Sequence, residues 1–181
     1  MRAFDAPAAL LPNGHVLCVV GRLFEFDGSA LNPVTPPSNA PNTLTFNCRF
    51  LLLPTGQVLY SNCTSDLQVF TPTGSPHSHW RPPISHVPRT LRRGHSYRVR
   101  GRQLNGMSQA SGYGDDSLRL RHGNQVHFCR TYDHSTMAVA TGKKMVHTHF
   151  HVPNSAPVGH YELVVIANGI PSKPVKVHVK P

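Results

Sequence analysis

The chain has 181 residues, of which 39% are hydrophobic and only 14% charged, with 17 prolines and 14 glycines. That size holds one ordinary domain or two small ones, and the abundance of turn-formers suits short strands rather than long helices. The formal charge of +10, from 18 Lys+Arg against 8 Asp+Glu, favours anionic partners or simply a well-solvated surface, and no apolar run nears the roughly 20 residues of a membrane span.

The first residues, MRAFDAPAALLP, hold no apolar run before Pro7 and are not a signal peptide. This leaves a cytosolic protein or the interior of a longer secreted chain. Cys18, Cys48, Cys63 and Cys129 follow no CxxC spacing. An even count permits disulfides, but a chain of this length does not need them, so all four are read as buried thiols.

In chain order, Ala8–Pro12 and His15–Val20 are apolar runs flanking Asn13-Gly14, a signal for a two-residue turn in which both residues take positive φ. Leu23–Phe26 alternates and ends at Asp27-Gly28. The proline-rich segment from Asn32 to Asn42 is expected to be a loop. The hairpin then recurs: Arg49–Pro54 and Gln57–Ser61 flank Thr55-Gly56. The pattern LLP-x-G-x-VL begins at Leu10 and again at Leu52, a period of 42 residues, as in propeller blades of four short strands. Leu67–Thr71 follows the second hairpin as Leu23–Phe26 follows the first, in register with it.

His77 to Arg89 is a linker rich in proline and histidine, and a domain boundary is expected near Trp80, giving domains 1–80 and 81–181. Beyond it, His95–Arg102 places Tyr97 and Val99 on one face and Arg98, Arg100 and Arg102 on the other. Leu118–Arg121, Gln125–Arg130, Thr136–Ala140, Met145–Val152, Tyr161–Asn168 and Pro174–Lys180 are further strands. About seven short strands in a hundred residues describe a β-sandwich of immunoglobulin type. The fold class is therefore all-β, an immunoglobulin-like β-sandwich preceded by partial propeller blades.

Three groups of residues carry candidate chemistry. His147, His149 and His151 fall at i, i+2 and i+4 and share one face of a strand, about 7 Å apart, a spacing that can chelate Zn²⁺, Cu²⁺ or Ni²⁺. The bland alternative is that they are the solvated side of a strand whose Val146, Thr148, Phe150 and Val152 point inward; His178 lies similarly between Lys176 and Lys180. Arg98, Arg100 and Arg102, with Arg92 and Arg93 nearby, form a basic ladder that suits a sulfated or carboxylated polymer, or merely water. Asp115-Asp116 and Asp133-His134-Ser135 hold catalytic residue types, but neighbours on a strand point to opposite faces and do not converge as a triad. No phosphate loop and no nucleic-acid-binding signature is present.

RGRQLNGMSQASGYGDD (Arg100 to Asp116), RTYDHSTMAVATG (Arg130 to Gly142) and VVIANGIPSKPVKVHV (Val164 to Val179) resemble the C-terminal, early-set immunoglobulin-like domain of galactose oxidase-like and glyoxal oxidase-like proteins. In that family the domain follows a kelch-type β-propeller, and LLPTGQVLYSN with LQVFTPTG is similar to its last blades. The chain supplies about two blades, so the ring does not close within it. Asp116 to Leu118 looks shorter than the family pattern, and the loop between Gly21 and Leu23 looks trimmed.

The resemblance implies a copper held by two histidines and two tyrosines, one tyrosine cross-linked to cysteine as a radical cofactor. His127, in HGNQVHF, matches the histidine from the C-terminal domain. Phe46 and Asn47 stand where the axial tyrosine and the second histidine belong, and the cross-linked tyrosine lies in blades that are absent. One imidazole does not hold a catalytic copper. No cofactor is therefore expected, copper being the one the resemblance leaves open, and His127 reads as an ordinary strand histidine.

Within the family pattern, DHSTM reads as a structural turn or an interface with the propeller. The favoured function is a non-catalytic accessory or interaction module that contacts carbohydrate or cell-envelope polymer. A copper oxidase of alcohols or aldehydes, complete or a fragment, is the alternative. The resemblance implies a secreted or envelope location. Open outer strands of the blades suit pairing with another chain, including a second copy, or else a partly mobile blade region.

Overall fold

A computed structural model of the chain describes residues 6–20, 22–36, 38, 45–107 and 117–181. The chain is all-β: the described residues form strands and two short 3-10 turns, with no α-helix among them. It divides into two compact units, Met1–His77 and Ser78–Pro181.

In the first unit, β1 (Ala8–Leu10), β2 (Val16–Val19), β3 (Leu23–Phe26) and β4 (Leu31–Pro33) make an antiparallel four-stranded meander. After a 3-10 turn at Thr45–Asn47, β5 (Arg49–Leu52), β6 (Val58–Ser61) and β7 (Gln68–Phe70) make a three-stranded one. Asn32 and Pro33, expected in a loop, lie in β4. An edge strand tolerates proline because its missing N–H faces away from the ladder. Residues 37 and 39–42 of that proline-rich segment lie outside the described residues, as does Gly21.

The two hairpins of the repeat close identically. Leu11 N donates to His15 O and Gly14 N to Leu11 O, while Leu53 N donates to Gln57 O and Gly56 N to Leu53 O. Only the glycines are left-handed, Gly14 at φ 90° and Gly56 at φ 83°. These are three-residue loops, a type I turn followed by a left-handed glycine, rather than the two-residue turn expected at Asn13-Gly14. Pro12 and Pro54 explain the choice, because their fixed φ suits the second position of a type I turn. The third strands are offset: Val16 pairs with Phe26, but Val58 pairs with Phe70. The second connection is thus two residues longer, and an even shift keeps each side chain on its face.

One core serves both meanders, with Leu11, Leu17, Val19 and Leu23 packed with Cys48, Val58 and Tyr60. Glu25 is buried beside it, where its Oε1 accepts from Asn13 Nδ2 at 2.8 Å and lies 2.6 Å from His15 Nδ1. Those partners offset the desolvation of the carboxylate.

The second unit is a nine-stranded sheet built from β8 (Ile84–His86), β9 (Thr90–Arg92), β10 (Ser96–Gly101), β11 (Ser117–His122), β12 (Gln125–Tyr132), β13 (Val146–His151), β14 (Gly159–Ala167), β15 (Ile170–Pro171) and β16 (Val175–Lys180). The order is β8-β10-β13-β12-β11-β14-β16-β9, with β15 beside β14. Ile84–His86 was expected in a linker and instead forms an edge strand on β10. Thr136–Ala140 was expected as a strand and is irregular. There Asn105 Nδ2 donates to Thr136 O at 2.7 Å, and Gly106 O accepts from Ala140 N, so main-chain groups are engaged outside any ladder.

β12 joins two halves of this sheet. Its residues 125–129 pair with β11 and 130–132 pair with β13, so the sheet turns over between Cys129 and Arg130. Val99, Val146 and Phe150 from one half and Leu118, Leu120, Leu163, Val165, Val177 and Val179 from the other fill one core. Their burial is the main stabilising term, on the order of 25 cal/mol per Å² of apolar surface removed from water.

The thiols divide. Cys48 and Cys129 are buried as expected, Cys18 is half-buried, and Cys63 is exposed at φ 65°; none of the four forms a disulfide. Cys63 lies in the β6–β7 connection, which carries no burial requirement.

Candidate functional site

The outward face of β10, β13 and β12 gathers the candidate residues. β13 alternates strictly: Val146, Thr148 and Phe150 are buried, and His147, His149 and His151 point the other way, half-exposed. Residues directly opposite in a ladder share a face. Arg100 faces His147, Arg98 faces His149 and Ser96 faces His151 on β10. Tyr132 faces His149 and Arg130 faces His151 on β12, while His86 of β8 faces Arg100. Arg98, Arg100 and Arg130 are exposed, and among the described residues none has a carboxylate partner. His86, Pro88, Arg98 and Arg100 line a shallow concavity of about 300 Å³.

Among the described residues, Asp133 is the acidic group on this face. Its Oδ2 lies 3.1 Å from His149 Nδ1, which is an ion-pair distance without hydrogen-bond alignment. Tyr132 stacks on His149, with centroids 5.8 Å apart. Partial burial, then the positive field of Arg98, His149 and Arg100, hold the His147 imidazole below its ordinary pKa, while Asp133 pulls it up more weakly.

Asp133-His134-Ser135 forms no triad. The three residues run antiparallel to β13, each engaging a different residue: Asp133 with His149, His134 Nδ1 with Thr148 Oγ1 at 2.8 Å, and Ser135 Oγ with the His147 N–H at 2.8 Å. Asp115 and Asp116 lie outside the described residues.

Sequence reasoning placed Arg102 in the ladder, but β10 ends at Gly101 and the Arg102 N–H is turned to Pro83 O. Arg92 ends β9, at the other end of the strand order, and Arg93 follows it. Missed were Arg130, Tyr132 and Phe128. Along β12 the outward residues are Val126, Phe128, Arg130 and Tyr132, with Val126 47% and Phe128 49% exposed. The alternation of QVHFCRTY carried that signal. Trp80, the lone tryptophan, is half-buried in a 3-10 turn against His79. His178 stacks on His160 across β16 and β14, with centroids 4.6 Å apart.

His127 points inward from β12. Its ring is 6.2 Å from that of buried Tyr161, and its Nε2 is buried without a partner. The Tyr161 hydroxyl donates to Pro157 O at 2.8 Å. The donor set that the resemblance implies does not stand here: of the two imidazoles beside Tyr161, His122 holds its Nδ1 against His160 O, the phenol is engaged, Phe46 offers no donor atom, and Asn47 is only an amide. Among the described residues, no three His, Cys, Asp or Glu side chains converge as a ligand set. Nor is any described helix long and apolar enough to cross a membrane.

The chain is thus an all-β protein with a basic, partly aromatic sheet face. No family model matches it, and no curated protein does. Among solved structures it is similar to SGBP-B of the mixed-linkage glucan utilization locus of Bacteroides ovatus, solved with a mixed-linkage heptasaccharide. That likeness has 17% identity and a TM-score of 0.36, over 71% of this chain and 30% of that one. It is also similar to domains 4 and 5 of the S-layer protein SbsC, at 11% identity and a TM-score of 0.24 over 99% and 97% of the two chains. A longer structure of that S-layer protein gives 10% identity and 0.23. Likeness at these scores assigns neither an architecture nor a function.

Proposed function

We propose that the chain is a non-catalytic interaction module that holds acidic polysaccharide on the outward face of β10, β13 and β12, and that it is related to galactose oxidase-like proteins. The observation that carries this reading is the placement of Arg98, Arg100 and Arg130. They are three exposed guanidiniums without carboxylate partners among the described residues, on one sheet face that also carries half-buried Tyr132. Guanidiniums take carboxylate or sulfate in paired, charge-assisted hydrogen bonds. An aromatic ring beside them offers an apolar surface to a sugar face. A divalent metal on the three histidines is disfavoured, since three guanidiniums share their face and repel a dication.

The same reading takes the meanders as partial propeller blades, supported by the 42-residue repeat with its shared turn. It takes Ser78–Pro181 as an immunoglobulin-like sandwich, supported by the strand that passes between sheet halves. It places the protein outside the cell or in its envelope, where such polymers occur.

Titration of the whole chain with polygalacturonate, heparin and a neutral β-glucan tests the function. Acidic polymers are expected to bind in a salt-sensitive way, and each of Arg98→Ala, Arg100→Ala and Arg130→Ala to weaken binding about three- to tenfold, on the order of 1 kcal/mol per contact. Binding to neutral glucan alone, or full binding by the triple variant, overturns the assignment.

A further inference from the structure

The two copies of the repeat bury opposite faces. In the first meander the cross-strand row Ala9–Leu17–Glu25 is turned to the core, with Leu17 fully buried. The next row, Leu10–Val16–Phe26–Leu31, is turned out, with Phe26 37% and Leu31 50% exposed. Adding the 42-residue period carries Leu17 to Leu59 and Val16 to Val58. In the second meander the burial is reversed. The Leu52–Val58–Phe70 row packs in the core, and the Leu51–Leu59–Val69 row is outside, with Leu51 59% and Val69 51% exposed.

The core of this unit is therefore a joint between unlike faces, the Leu17 face of one copy on the Val58 face of the next. The chain retains the two unused halves of that same joint: the Val16 face of the first meander, homologous to the Val58 face, and the Leu59 face of the second, homologous to the Leu17 face. Both are apolar, and their exposed residues lie in rows rather than singly.

We propose that a second copy of this chain fills the joint, its Val16 face packing on the Leu59 face of the first, head to tail. Such a contact is heterologous: each copy uses a different surface, so association continues until a ring closes or a filament grows. This inference is independent of the polysaccharide-binding reading, since the residues it uses lie in the other unit.

Sedimentation of the whole chain over a concentration series, with two surface variants, tests it. Leu51→Lys with Val69→Lys blocks one half of the joint, and Phe26→Lys with Leu31→Lys blocks the other; all four side chains are exposed, and circular dichroism checks that the strands persist. The unaltered chain is expected to form species larger than a dimer with rising concentration. Each variant is expected to be monomeric alone, and an equimolar mixture to form a dimer and nothing larger, because only one joint remains intact. A monomeric unaltered chain, self-association of either variant alone, or a mixture that stays monomeric overturns the proposal.

Discussion

The carbonyl oxygen of Pro83 occupies the space that a β-carbon on Gly101 would need, and the Arg102 N–H donates to that same oxygen at 3.1 Å. The β8–β10 ladder shifts register there, between Arg100 and Gly101. Leu104 closes the other side of the glycine, so the space is walled by backbone and by a buried side chain. Gly101→Ala is expected to destabilise the fold by about 1–3 kcal/mol, as overpacking of a filled site does. Urea unfolding reads it, and an unchanged midpoint would show that the Pro82–Pro83 segment yields freely.

Chemical-shift titration of His147 should give a midpoint below that of a free imidazole, because partial burial and then Arg98, His149 and Arg100 disfavour its charged form. The unfolded chain, with the ordinary value, binds the proton first, so this residue lowers stability as pH falls from the ordinary imidazole pKa through the lowered one. A bound polyanion favours the imidazolium. Heparin should therefore raise the midpoint, and by linkage its affinity should increase on acidification across the same window. A midpoint indifferent to heparin would remove His147 from the binding face.

Thiol labelling should resolve the cysteines. Exposed Cys63 is expected to react in the native protein, and Cys63→Ser to abolish that fast phase. Burial pushes the Cys129 thiol up to about 12, so it stays protonated and reacts only on unfolding. Native-state modification of Cys129 at the rate of Cys63 would show that the turn of the sheet at Cys129–Arg130 opens readily.

His127→Leu is expected to leave stability unchanged or raise it by about 1 kcal/mol, because the substitution removes a buried nitrogen that has no partner. A loss of more than about 2 kcal/mol, the scale of a broken buried interaction, would show that the imidazole has a partner or ligand in solution. Metal content of the purified protein separates those two cases.

Local chemistry was read well where it is decided within a few residues. Leu23–Phe26 is a strand with the bounds that its alternation indicated, and His147, His149 and His151 share a face because successive residues of a strand must alternate. The same dipeptide shows where locality ends. Asn168-Gly169 makes a two-residue turn with both residues left-handed, at φ 49° and 70°, whereas in Asn13-Gly14 only the glycine is. Pro12 lengthens that first loop by one residue, and Asn13 spends its amide on Glu25 and Thr73.

The all-β class, the repeat and the basic charge follow from the order of residues alone, because a period of two, turn-formers and formal charges need no partner to be recognised. The binding face required the folded chain. Arg98 and Arg130 are 32 positions apart in sequence and reach one surface only because β13 pairs with both β10 and β12. Likewise, either face of an apolar strand such as RFLL suits a core equally well. Which face is buried depends on the sheet that packs against it, and in this protein that choice leaves Leu51 and Val69 in water.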